Sequence, residues 1–287
     1  MAKGRELKGR IKSVENTRKI TRTLEMVATS KMKRAQDRVH AARPYATALG
    51  AVLADLYSPD LADRFPLLRQ PADMKRAAVL LVTSNRGLAG AFNSNLIKEA
   101  RALVAELEGK GVEVELHVVG RKGVGYFKYV GRKLASTRTD IGDRPTPVNA
   151  AELVDGIRAG FGEGRLDAVY LVYTKFNSVL STPAVHERLF PVAPPRREGA
   201  SLDYLLFPTA DEILGQLLPA YARNAVYRAL VESEAAFQSA QRTAMKNATD
   251  NASDMINILR RTYNRARQAQ ITQEIAEIVG GAAALQG

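Results

Sequence analysis

The chain reads as a mixed α/β protein with long terminal helices. Its first and last segments form an antiparallel coiled coil, and an α/β domain is inserted between them. Three observations predict this. Proline is confined: none precedes Pro44, none follows Pro219, and ten of the twelve fall between Pro59 and Pro208. A proline costs a helix interior about 3 kcal/mol, so the two ends are free to be long helices and the middle is not. Apolar and small residues recur at steps of three and four in both ends, the period of one helix face. In the middle, short apolar runs alternate with helical patterns, as in a mostly parallel sheet covered by helices.

The N-terminal helix is expected over residues 1–58. Its stripe runs through Ile11, Val14, Ile20, Leu24, Val27, Ala35, Val39, Ala42, Ala46, Leu49, Leu53 and Leu56, with Pro44 interrupting it as a candidate kink. The C-terminal helix is expected over 209–287. Met245, Ala248, Ala252, Met255, Leu259, Thr262, Ala266 and Ala269 alternate steps of three and four, a heptad seam. The same register extends back through Gln241, Gln238, Glu234, Val231, Tyr227, Asn224, Ala220 and Leu217. Thr209-Ala210-Asp211-Glu212 has the form of a capping box, and Pro219 marks an expected break or kink. A helix with one apolar face cannot bury that face alone. Because the only comparable seam lies at the other end of the chain, the two segments are expected to pair, with small seam residues allowing close approach.

The α/β domain is expected over residues 75–195, and its order suggests a Rossmann-like sheet. Ala77–Thr83 is a short apolar run ending at Ser84-Asn85-Arg86-Gly87, a buried strand by length and flanks. Asn93 or Ser94 is positioned to cap a helix reaching Gly109. Val112–Val119 alternates as a half-exposed strand and stops at Gly120, and a short helix is expected over Val124–Val130. A helix over Ala150–Phe161, a buried strand over Ala168–Tyr173 and an edge strand over Val185–Val192 complete the domain. Arg196-Arg197-Glu198-Gly199 then leads back toward the last helix.

Composition narrows the functions open to such a chain. With no cysteine, disulfides and thiolate chemistry are excluded. Apolar residues make up 46% and aromatics only 6%, without Trp, which suits aliphatic helix seams. No run approaches the ~18 consecutive apolar residues of a membrane span, and the first residues lack the apolar stretch of a secretory signal. Net charge is +12, and residues 1–45, with 13 Lys/Arg against 4 Asp/Glu, carry +9 of it. A basic arm of this kind suits nucleic acid, anionic lipid or an acidic protein surface. It also suits a plain solvated helix face, and charge alone does not choose among these. The runner-up reading, a basic coiled coil that binds nucleic acid, lacks aromatic residues interleaved with the basic ones in residues 1–40 and a recognised binding motif.

No pattern carries catalysis. Gly87-Leu88-Ala89-Gly90-Ala91-Phe92-Asn93 and Gly120-Arg121-Lys122-Gly123-Val124-Gly125 sit where glycines cradle phosphates, yet neither has the dinucleotide or Walker spacing. Both are expected to be structural turns, and no cofactor is expected. His40, His117 and His186 are scattered without ligand-spaced acidic partners. Glu274 and Glu277 would need a cleft, which a coiled coil does not offer. The sharpest signal is Ile271-Thr272-Gln273-Glu274-Ile275-Ala276-Glu277-Ile278-Val279-Gly280-Gly281-Ala282-Ala283-Ala284, a charged turn leading to a tip of Gly and Ala. Such a smooth tip makes few interlocking knobs and suits an apolar collar that does not hold it at one angle.

At these residues the chain resembles the gamma subunit family of bacterial F-type ATP synthases. The terminal pattern is met at Ile271, Thr272, Glu274, Glu277, Gly281, Ala282 and Ala284. The N-terminal helix is similar at Ile11–Thr21 and Glu25–Met32, and the middle at Ser84–Asn93. The resemblance spans the chain and implies a non-catalytic rotor, the central stalk. It would couple ion flow through the membrane c-ring to cycling of the catalytic beta subunits. Implied partners are the alpha and beta subunits, epsilon and the c-ring, and the implied place is the cytoplasmic side of a bacterial inner membrane, held peripherally. By the same resemblance, Arg267, Gln268 and Thr272 engage a loop of beta, while Lys31, Lys33 and Arg34 meet its acidic lever. Glu274, Ile275, Ile278, Val279, Gly281, Ala282 and Ala284 would form the bearing at the tip. The cysteine-bearing insert of chloroplast members is missing, which excludes thiol control, and the Met1 start without a transit peptide favours a bacterial source.

Overall fold

The computed structural model describes residues 2–56, 64–71, 73–192 and 209–286. The expected return through Arg196-Arg197-Glu198-Gly199 lies outside the described residues. The chain divides into two compact units, residues 1–28 with 241–287 and residues 29–240. Helices α1 (Ala2–Leu56) and α5 (Ala210–Gln286) each contribute to both. Neither Pro44 nor Pro219 ends its helix. The cost of each is offset by buried neighbours, Leu49 and Leu53 on one helix and Leu214, Leu218 and Ala222 on the other. Thr209 caps α5, its Oγ1 accepting from the Glu212 amide at 3.3 Å.

In the first unit α1 and α5 run antiparallel. Thr21 Oγ1 and Thr249 Oγ1 are 2.8 Å apart, and the Glu15 carboxylate accepts from Arg260 at 2.6 Å. The seam uses one expected row, Met245, Ala252, Leu259 and Ala266, but its other row is Thr249, Ile256, Tyr263 and Gln270. The expected Met255, Thr262 and Ala269 are exposed, Met255 at 53%. On α1 the seam takes Thr21 and Ala28 where Ile20 and Val27 were expected, and Ile20 is 61% exposed. The steps of three and four fall in the other order on each helix. Two threonines are tolerable there because Thr249 donates to Thr21 and Thr21 donates to the Arg18 carbonyl, leaving no buried hydroxyl unpaired.

The second unit is built on a five-stranded sheet: β1 (Arg76–Val82), β2 (Glu113–Val119), β3 (Ser136–Arg138), β4 (Ala168–Thr174) and β5 (Ala184–Phe190). Its order is β3-β2-β1-β4-β5, parallel except for the antiparallel edge strand β5. Helices α2 (Phe92–Gly109), α3 (Arg121–Tyr129) and α4 (Pro147–Gly162) cover it. Alternate residues of β1 face opposite sides. Ala78, Leu80 and Val82 join the core under α4, and Ala77, Val79 and Leu81 join the core under α2 and α3. Each core also takes residues from the long helices, Leu53, Leu214 and Leu218 on one face and Ala35, Val39, Val231 and Ala235 on the other.

Two expected details change. Asn93 does not cap α2; its Oδ1 accepts from the Ser84 amide at 3.1 Å and so ties the loop after β1 to the helix. Helix α3 starts at Arg121, three residues early, because the loop after β1 satisfies its free amides: Arg121 N donates to Asn85 Oδ1, Lys122 N to Ser84 O and Gly123 N to Thr83 Oγ1.

Candidate partner-binding sites

Beside the β1–β4 switch point, where an open α/β sheet of this strand order holds ligands, the loop after β1 and the start of α3 form a second crevice at the carboxyl ends of the strands. Here the crevice is packed from within the chain. The amides that an anion would meet at the α3 N-terminus are the three already bonded to Asn85, Ser84 and Thr83. Gly120, at φ +95°, and Gly123 let α3 press on β1, since a Cβ would fall 2.2 Å from Thr83 O and 2.8 Å from Thr83 Oγ1 respectively. Leu230, Glu234 and Phe237 of α5 lean over the rest and leave a cavity of about 50 Å³. The second glycine segment therefore serves packing, while in the first Gly90 takes a positive φ of +54° with open space around it. Among the described residues no cluster of three or more His, Asp or Glu is arranged to hold a metal ion.

Polar side chains fasten α5 to the sheet. Thr174 N donates to Ser233 Oγ at 3.2 Å, Phe176 N to Glu232 Oε2 at 3.0 Å, and Ser239 Oγ to Val179 O at 2.8 Å. Glu187 of β5 accepts from Tyr173 OH and from Arg228, each at 2.9 Å. Burial of Tyr173 raises its phenol well above the ordinary range, so it stays a donor. Arg223 grips Asp155 of α4 through two bonds of 2.9 and 2.7 Å. Buried Glu232, Ser233 and Ser239 on a helix are costly unless paired, and here they hold α5 at several points along the sheet.

A basic pocket of about 480 Å³ lies beside this contact, lined by Lys31, Arg34, Arg38, Asp143, Arg144 and Glu234. Lys31 Nζ donates to Asp143 Oδ2 at 2.5 Å, and Arg86 approaches the same oxygen at 4.0 Å. Burial acts to raise the Asp143 pKa, but the bond and charge of Lys31, with Arg86 and Arg38, prevail and hold it below the ordinary carboxylate value. Glu234 goes the other way. Burial pushes it up to about 7, Asp143 adds to the rise, and the bond from Gln238 with the charges of Arg38 and Lys31 opposes it. Of the three expected basic contacts the structure brings Lys31 and Arg34 together here. Lys33 points elsewhere, in an exposed pair with Asp37 at 3.0 Å. Arg38, Asp143, Arg144 and Glu234 were not anticipated; the spacing 31, 34, 38 placed Arg38 on the same helix face.

The other candidate surface is the end of α5. Antiparallel pairs in the first unit, Thr21 with Thr249, Glu15 with Arg260 and Gly4 against Tyr263, place the start of α1 opposite residues near 268. Beyond that point α5 continues to Gln286, an overhang of ~27 Å at 1.5 Å per residue. Arg267, Gln268, Thr272 and Glu274 are exposed around its base, with Thr272 Oγ1 donating to the Gln268 carbonyl at 3.0 Å and Gln270 donating to Glu274 at 2.8 Å. Ile271, Ile275, Ile278 and Val279 are also exposed, Ile278 at 71%, and Gly281 and Ala282 follow them. Spaced at four, seven and eight residues, the four apolar side chains make one stripe with none of the described residues covering it. The Ala284 side chain lies outside the described residues.

Comparison with known proteins agrees with this architecture. The family model described as ATP synthase matches residues 3–285. The ATP synthase gamma chain of Gemmatimonas aurantiaca is 67% identical over the full length of both chains, and that of Delftia acidovorans is 41% identical over 99% of this chain and all of its own. A chain of the Tetrahymena thermophila mitochondrial ATP synthase central stalk and c-ring superposes with a TM-score of 0.61 at 25% identity, covering 80% of this chain and 99% of its own. A chain from the Euglena gracilis mitochondrial ATP synthase, at 18% identity, shares the fold with a TM-score of 0.70 over 99% of this chain and 95% of its own. Matched from end to end by the family and by close bacterial relatives, the chain belongs to the ATP synthase gamma-chain family.

Proposed function

We propose that this chain is the central-stalk rotor of a bacterial F-type ATP synthase, turned by the membrane c-ring and turning inside the ring of alpha and beta subunits. The observation that carries the reading is the α5 overhang, an exposed helix whose apolar stripe ends in small residues. An apolar stripe of this kind on a soluble surface is a place for a partner. Gly281 and Ala282 give a collar little to grip, so the helix turns in it. Arg267, Gln268 and Thr272 at the base of the overhang supply polar contacts to a loop of beta. Arg34, with Lys31 and Lys33, meets an acidic lever of beta.

The chain does no covalent chemistry in this reading; its work is mechanical. Ion flow turns the c-ring, epsilon and the α/β domain turn with it, and the clasp of Glu232, Ser233, Ser239 and Arg228 passes the turn to α5. Beta changes state because the off-axis helix contacts its open and closed forms unequally, and only such a difference shifts the equilibrium between them. No described helix is long and apolar enough to cross a membrane, so attachment to the cytoplasmic face of the inner membrane runs through the complex. Isolation of the chain from its host under mild conditions tests this. Co-isolation with two large nucleotide-binding subunits is expected, whereas recovery with nucleic acid or a bound dinucleotide would contradict it.

A further inference from the structure

The basic pocket contains a carboxylate that the proposed function does not use. Glu234 lies on α5 between α1 and the loop that follows β3, and among the described residues it accepts a hydrogen bond from Gln238 Nε2 at 2.7 Å. The groups facing it are Lys31, Arg34 and Arg38 of α1, Asp143 and Arg144 of the 139–146 loop, and Arg86 beyond β1. Four cations line the pocket against two carboxylates, and Asp143 is already committed to Lys31. An anionic partner entering the pocket meets Arg34, Arg38 and Arg144 and has Glu234 as its competitor. The pocket opens to solvent, so a proton has a path to that carboxyl.

We propose that Glu234 is a proton-controlled competitor in this pocket: protonated, it leaves the arginines to an acidic peptide segment, and ionised, it takes their charge for itself. The proposal rests on the reading that Lys31 and Arg34 face an acidic partner surface, and adds its regulation. Burial and the neighbouring Asp143 place the Glu234 titration near neutrality, at about 7. By linkage, an acidic ligand and a proton on Glu234 favour each other, so affinity is highest below pH 7 and falls as pH rises through it. The bond from Gln238, with the charges of Arg38 and Lys31, pulls in the other direction and keeps the shift from being larger.

The test uses the full chain and a synthetic peptide of alternating Asp and Glu, with affinity measured at pH 6.0 and 8.5. Wild type is expected to lose about fivefold more affinity over this range than Glu234→Gln, which retains every other titratable group. Arg34→Ala with Arg38→Ala is expected to bind poorly at both pH values. Equal losses in wild type and Glu234→Gln overturn the proton control while leaving the docking surface in place. Undiminished binding by the double alanine variant overturns the docking surface itself, and this inference with it. Carbon-13 titration of the Glu234 carboxyl gives an independent reading: a midpoint near 7 is expected, and one below 5 overturns the switch whatever the peptide does.

Discussion

Gly120 shows how much of this fold is decided by single atoms. Its φ of +95° and the 2.2 Å that would separate a Cβ from the Thr83 carbonyl allow no side chain. Gly125, one turn further along α3, has nothing within 4 Å of its missing Cβ. Gly120→Ala is therefore expected to cost roughly 2–4 kcal/mol, through strain and the displaced β1–α3 contact. Gly125→Ala should be neutral or stabilise by up to about 1 kcal/mol, since alanine is the better helix former. Urea denaturation of the two variants decides this, and equal midpoints would show that the close approach is not needed. The glycine spacing marked both positions as turns, but only coordinates separate the crowded one from the open one. Asn93 illustrates the same limit. Its type suits a cap, and the loop after β1 claimed it instead.

At the level of elements, both long helices, four of the five strands and the order of the domain were legible, because each carried a proline, heptad or alternation signal. The three-residue β3 was not, since Ser136–Arg138 has no apolar alternation to mark it. The seam was legible by one row out of two. Preferring apolar to polar favoured Ile20 over Thr21, and carrying on the steps of three and four from Met245 and Ala248 favoured Met255 over Ile256, whereas the actual seam accepts threonines that bond across it. The basic face was partly readable from the 31–34–38 spacing. Glu234 was not, as its environment is assembled from α1, α5 and the 139–146 loop. The overhang of α5 yields an element-scale expectation. A lone helix of ~16 residues is marginal in water, so amides beyond Gln270 should exchange with solvent within seconds in the free chain, while those of Met245–Ile256 are protected. In the assembled enzyme the same terminal amides should become protected. Equal protection in both states would mean that nothing covers the stripe.

On the scale of the whole molecule, the exposed polar base of the overhang is where the chain is expected to be read by its partners. Arg267 and Gln268 are exposed, so in Arg267→Ala with Gln268→Ala helical content and melting should match wild type while coupled ATP synthesis falls severalfold. Unchanged synthesis in the double variant would remove both residues from the contact. The clasp of α5 on the sheet makes the complementary statement, that the α/β domain and the helix held against it turn as one.

Rotation itself is the most direct measurement. The chain has no cysteine, so Leu180→Cys, at a position 98% exposed in the loop between β4 and β5, gives a single attachment point for a visible bead. With the alpha and beta ring of the assembled enzyme fixed to a surface, ATP is expected to drive continuous one-way rotation of the bead. A bead that stays fixed relative to the ring while ATP is hydrolysed at the normal rate would contradict the account.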